Sequence, residues 1–264
     1  MCAAAARPRA SVETKQRAAR ARSLATTFTQ VNAWEPEFNP FAAVHAELSA
    51  AQPWRNPPLL CQCLQSPSAL RGLWASSAWL YDSSFDAPSL LGYQPRVAEE
   101  LSSSLPSSWL CSAGVPLVRP LRLWRLSLRQ SSSRHARYTG RASPASPITS
   151  RVPFSSELLP GYFTSERRRR CFSSGEPAEA VLDFDSISRI SAEDVASFRR
   201  SDGSSSWPAP RRPLTLLSGT RLYLRPLAPS VLIGKAWRHE RPDSQQPGER
   251  LCHVLLVRDD TQRK

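Results

Sequence analysis

Charge along this chain is sorted into blocks, and the sorting limits the available folds more than any single motif does. Residues 1–33 carry a net +5, residues 34–118 a net −4, residues 119–174 a net +10, residues 175–198 a net −5 and residues 199–264 a net +7. Blocks of opposite sign attract one another within a chain, and each can also engage a separate partner. The contrast is sharpest in the middle. Residues 101–156 contain no carboxylate and eight Arg. Guanidinium groups with no local counter-charge are available to an external anion, and their planar fork suits phosphate.

Apolar content sets the second limit. Leu, Ile, Val and Phe account for 56 of 264 residues, just above the level at which a chain fails to bury enough surface to offset its ordering entropy. Ser, Pro, Gly and Gln account for another 83, at the edge of low complexity. The expected fold is therefore mostly irregular and partly disordered, with a small α+β unit in the C-terminal third. There are 32 Arg against 3 Lys, and 8 Trp against 4 Ile and 1 Met. No folding requirement explains that skew, but GC-rich codons do. The chain fits a GC-rich genome, a large DNA virus, or a translated reading frame without selected function. A net charge of +13 and a pI near 10.4 favour association with nucleic acid or an anionic surface.

Four segments are expected. Residues 1–33 read as a solvated basic tail. Residues 34–118 read as a loosely structured region rich in aromatics and Pro. Residues 119–174 read as a basic, Ser/Arg-rich and largely disordered segment. Residues 181–258 read as a candidate small α+β domain. In the second segment, Asn39-Pro40 is a start signal for a helix over 41–51 with Phe41, Val44 and Leu48 on one face. Shorter helical candidates lie at 72–81, with Leu73 and Trp74, and at 95–101. In the fourth, Ser191 and Asp194 approximate a capping box for a helix carrying Val195 and Phe198. Residues 214–217 and 220–225, joined at Ser218-Gly219, read as a β-hairpin. Residues 231–233 and 251–257 read as two further strands.

Residues 120–130 carry the sharpest local pattern. As a helix, they place Arg119, Arg122, Arg125 and Arg129 within about 120° of arc. Leu117, Leu121, Trp124 and Leu128 fall on a separate arc, where they would meet a protein partner or a core. A helix is the expectation; a strand is also open, since Leu121 with Leu123 and Leu126 with Leu128 each alternate. The second basic cluster is Arg167, Arg168, Arg169 and Arg170, a run of the kind that neutralises phosphates. It stands upstream of Ser173 and Ser174, an arrangement that suits basophilic kinases, and a phosphate there would reduce the local positive charge.

Catalytic and metal chemistry find little support in the residues. Cys61 and Cys63 lack the two-residue gap of zinc knuckles, and His239 lies far from the Cys252-His253 pair, so no metal is expected. No phosphate loop, nucleophile elbow or metalloprotease motif occurs, and Asp183 and Asp185 about Phe184 are background. No cofactor is expected. The N-terminus lacks the apolar stretch of a secretory signal, and no run is long enough to span a membrane as a helix. A nuclear or cytoplasmic location is expected, in preference to mitochondria. The function expected is that of a non-enzymatic basic protein that binds anionic partners, nucleic acid first, through the eight Arg of the two clusters. The alternative is a small α+β protein-interaction module.

Overall fold

Burial alternates strictly along residues 123–130. Trp124, Leu126 and Leu128 are buried, and Arg125, Ser127 and Arg129 between them are half-buried. Period-two burial belongs to a strand. The residue that decides against a helix is Leu126, two positions from Trp124, which a helix would turn to the opposite side. The amphipathic helix expected here is therefore corrected to a strand. Trp124 and Leu128 do share a face, but it is the inside of a barrel rather than a stripe offered to a partner.

The computed structural model describes residues 39–51, 57–64, 66–83, 86–91, 94–102, 107–113, 123–131, 138–145, 161–167, 170–184, 219–238 and 248–259, with the single positions Ala19, Ile190 and Glu193. Its strands are β1 (Ser107–Ala113), β2 (Leu123–Gln130), β3 (Tyr138–Pro144), β4 (Gly161–Arg167), β5 (Ala180–Asp183), β6 (Thr220–Ala228), β7 (Val231–Arg238) and β8 (Glu249–Arg258). Each is antiparallel to the next, and β8 pairs back onto β1, so the eight form a closed up-and-down barrel. This overturns the expectation of a mostly irregular chain with a small α+β unit. The segment read as largely disordered supplies β2, β3 and β4, and the C-terminal third supplies part of one sheet rather than a domain of its own. The α+β architecture assumed in the alternative reading falls with it, whereas a role in protein interaction is a separate matter of function. The physical reason is economy of apolar residues: a barrel strand that no helix covers needs them on its inner face only.

The interior is filled by Trp109, Trp124, Leu128, Phe163, Leu182, Leu222, Leu224, Leu232, Val254 and Leu256. Eight strands enclose a space about wide enough for such side chains and no more. Two glycines make the packing possible. A Cβ on Gly140 would collide with the Phe163 ring and stand 2.7 Å from the carbonyl oxygen of Ser127. One on Gly234 would stand 2.6 Å from Leu222 Cδ1 and 2.8 Å from Val254 Cγ2.

Helices α1 (Pro40–Ala51), α2 (Pro57–Cys63) and α3 (Pro67–Ser76), a 3-10 turn at Ser77–Tyr81, and the short α4 (Ala87–Leu91) and α5 (Val97–Ser102) precede the barrel. Pro40, Pro57 and Pro67 open α1, α2 and α3, where a missing N–H is harmless. Asn39 Oδ1 accepts from Phe41 N at 3.1 Å and Ala42 N at 3.3 Å, and Ser66 Oγ accepts from Ala69 N at 3.1 Å. As the spacing predicts, Phe41, Val44 and Leu48 of α1 are buried. In place of a loose apolar cluster, Val44, Leu48, Leu64, Leu70 and Leu73 pack on Leu110, Leu227, Ile233, Leu255 and Val257 of the outer wall. Helix α5 adds Val97 and Leu101 to the interior cluster. Among the described residues no helix is long and apolar enough to cross a membrane.

Strands β7 and β8 lie where the sequence predicts them. β6 begins at Thr220 as expected, but its hairpin turn is at Pro229-Ser230, with Ser230 at φ 63°, and its other neighbour is β5. Residues 214–217, Ser191, Asp194, Val195 and Phe198 lie outside the described residues, as do residues 1–18 of the basic tail.

Gly140→Ala should destabilise the protein by roughly 2–3 kcal/mol, because the obstructing atoms include backbone. Gly234→Ala should be milder, because it meets only side-chain atoms. Urea unfolding midpoints of the two variants check the order.

Candidate functional site

Beyond β4 the chain makes a hairpin that returns to β5. Arg170 bridges Pro177, Cys171 N donates to Glu176 O at 2.7 Å, and Gly175 N donates to Cys171 O at 2.8 Å. Gly175 has φ +67° with open space around its Cα, so it is the backbone and not crowding that favours glycine there. The hairpin leans over the outer wall of β5 and β6. The cleft beneath it holds about 310 Å³, with Arg170, Cys171, Phe172 and Gly175 on one side and Val181, Asp183, Arg221 and Tyr223 on the other. Cross-strand pairing sets the floor, with Val181 opposite Tyr223 and Asp183 opposite Arg221. Arg221 Nε lies 3.3 Å from Asp183 Oδ2. Phe172 stands at the rim, 53% exposed, as the exposed large hydrophobic side chain of the described residues. Arg170 is exposed beside it.

The hairpin is anchored through Glu176. Its carboxylate accepts from Lys235 Nζ, from Ser174 Oγ at 2.6 Å and from Trp74 Nε1 at 3.4 Å. Burial alone would raise the Glu176 pKa; the Lys235 and Ser174 hydrogen bonds and the Lys235 charge outweigh it and hold the group below the ordinary carboxylate range. Lys235 is 9% exposed, with its ammonium 5.7 Å from the Trp74 ring and 5.4 Å from Trp237. Behind this pair lies Arg225, 1% exposed. Its Nε donates to Pro177 O at 2.7 Å, and one terminal nitrogen donates to Trp74 O at 2.9 Å and Ser77 Oγ at 3.3 Å. The guanidinium lies 3.7 Å from the centre of the Trp74 ring. Burial lowers the Arg225 pKa, yet a guanidinium so far above neutrality stays charged. Glu179 Oε2 accepts from Val97 N at 2.8 Å and its Oε1 from Tyr81 OH at 3.3 Å, with burial raising its pKa.

Attraction between charge blocks is thus realised. Lys235–Glu176 and Arg221–Asp183 join the last basic block to the acidic block before it, whereas Arg125–Asp259 pairs single residues of two blocks that are both net basic. The two clusters predicted to bind anions fare differently. Arg125 lies 3.2 Å from Asp259 Oδ2, whose side chain is 4% exposed. Arg129 sits on the outer wall with interactions of its own. Arg167 ends β4 in solvent, and Arg170 lines the cleft. Arg119, Arg122, Arg168, Arg169, Leu117 and Leu121 lie outside the described residues. The structure brings Phe172, Arg221 and Asp183 to Arg170. Only the Ser173-Ser174-Gly175 turn composition hints at that meeting in sequence.

The thiols sit in structural places. Cys61 Sγ donates to Leu110 O, and burial pushes the pKa of Cys61 well up and that of Cys252 to about 11. Among the described residues no three His, Cys, Asp or Glu converge as metal ligands. Fold and site together define an up-and-down barrel with a packed interior and a basic, aromatic-rimmed cleft on its outer wall. No protein family, no curated protein and no solved structure matches the chain.

His253 gives the site a pH signature. Burial first, then Lys235, Arg250 and Arg71, lower its pKa to about 4. The unfolded chain binds a proton near pH 6.5, so the stability that His253 contributes is complete above that pH and falls as pH drops towards 4. The loss amounts to roughly 3 kcal/mol. His253→Gln should flatten that limb in urea titrations run between pH 7 and pH 4.5.

Proposed function

We propose that the protein is a non-enzymatic binding barrel that takes single-stranded nucleic acid at the cleft under the 170–177 hairpin. The carrying observation is Phe172, half exposed at the cleft rim next to the solvent-facing Arg170. A half-exposed ring beside a cation suits a base stacked against it with its phosphate at the guanidinium. Stacking of this kind tolerates any sequence. The net charge of +13 supplies long-range attraction for the strand. Because Trp109, Trp124 and Phe163 fill the interior, the outer wall is the face on which a partner can sit.

Fluorescence anisotropy with a labelled single-stranded oligonucleotide over a salt series tests this reading. Binding should weaken steeply with salt, and Arg170→Ala should reduce the slope of log K against log salt by about 0.7. Phe172→Ala should weaken binding by roughly 1–3 kcal/mol at fixed salt. A duplex of equal length, whose bases are already stacked, should lose little from Phe172→Ala. Variants indistinguishable from the parent would remove the cleft from the interaction.

A further inference from the structure

We infer that Ser174 is a phosphoacceptor for a basophilic protein kinase, and that a phosphate there unlatches the hairpin from the barrel wall. The inference stands on the hairpin alone and does not depend on the nucleic-acid reading. Ser174 is exposed at the tip, and the Arg167–170 run leads into it, with Arg167 and Arg170 themselves in solvent. Ser173 is placed differently. It is half-buried, and its Oγ accepts from Gly248 N at 3.2 Å, so a kinase would first have to pull it from β8's leading end.

The hydroxyl of Ser174 does work in the unmodified hairpin. Its Oγ–H donates to Glu176 Oε2 at 2.6 Å, the same oxygen that accepts from Lys235 Nζ. In the transfer, Ser174 Oγ forms a bond to the γ-phosphorus of ATP and the bond from that phosphorus to the β,γ-bridging oxygen breaks. ADP leaves with the bond's electron pair, and the hydroxyl proton passes to the kinase's catalytic base. The ester oxygen then has no hydrogen to donate. A group of charge about −1.5 to −2 faces the Glu176 carboxylate, and the two compete for one ammonium. Lys235, between the Trp74 and Trp237 rings, is then one ammonium shared by two anions. Glu176 also provides the carbonyl to which Cys171 N donates, and Cys171 O in turn receives Gly175 N. Repulsion at Glu176 therefore acts on the two backbone bonds that close the tip.

The test incubates the full-length protein with Mg-ATP and the catalytic subunit of the cyclic-AMP-dependent kinase. Tandem mass spectrometry locates the phosphate, and hydrogen exchange follows the amides of Cys171 and Gly175. Phosphate should appear on Ser174 and be lost in Ser174→Ala. Both amides should exchange roughly tenfold faster in the phosphorylated protein, while β7 and β8 amides stay unchanged. Failure of the folded protein to incorporate phosphate, or incorporation at Ser173 instead, overturns the assignment of the site. Phosphate on Ser174 with both amides unchanged overturns the unlatching.

Discussion

Pairing of β1 with β8 joins Leu110 to Val257 and Cys111 to Leu256, and every other feature of the barrel is conditional on that closure. An open eight-stranded sheet would present two rows of unpaired amides and carbonyls, each a template for another chain. Closure removes both. It also fixes the interior volume, since strand number and stagger determine how wide a barrel is. With Trp109, Trp124 and Phe163 inside, that volume is spent on packing. Gly140 and Gly234 are the positions where the wall gives way so that the rings and leucines fit. Contacts so distant in sequence make for slow folding, because loop-closure entropy is lost before the pairing forms.

Closure leaves only the outer wall to be dressed, and the chain dresses it unevenly. Over β6, β7, β8 and β1 lie α1, α2 and α3, and their seam holds charges as well as leucines. Arg225 is the extreme case. Desolvating a guanidinium costs several kcal/mol, and the site offsets this with carbonyl acceptors from Trp74 and Pro177 and with the face of an indole. Two of those partners belong to the C-terminal end of α3, where backbone carbonyls point outward and favour a cation. Hydrophobic contact alone would let α3 slide along the wall. Hydrogen bonds of fixed direction do not.

The first helix was legible in the sequence, the rest of the helical layer only in part, and the barrel not at all, for reasons visible in particular residues. Asn39-Pro40 with Phe41, Val44 and Leu48 carries both a cap and a face within one helix, so local pattern suffices. β7 and β8 are long and apolar on both faces, because helices cover their outer side, and they read as strands at once. β3 and β4 give no such signal. Their inward positions include Gly140, Ala142 and Ser165 beside Phe163, and their outward ones are Arg141, Thr139 and Thr164, so apolar alternation is nearly erased. β5 has four residues, too few for periodicity to register. For residues 120–130 both periods were available, and Leu126 turns out to discriminate them. Of the cleft, Arg170 stood out as part of a charge run. Arg221 and Asp183 did not, since their adjacency to the 170s depends on β5 lying between β4 and β6.

Glu176 belongs to both halves of this account. It sits in the hairpin that roofs the cleft, and its carboxylate reaches Lys235 and Trp74 in the seam beneath α3. Pro177, the next residue, gives its carbonyl to Arg225. The height of the roof over Val181 and Tyr223 is therefore set by the same charged contacts that seat the helix on the barrel. A rigid closed sheet would ordinarily isolate one loop from another. Here the residues just before β5, a fixed part of the wall, act as a strut between the cleft and α3. A shift in the balance of charge at Glu176 would act on the hairpin through Lys235, Ser174, Trp74 and the Cys171 amide, the contacts that hold the rim where Phe172 and Arg170 stand.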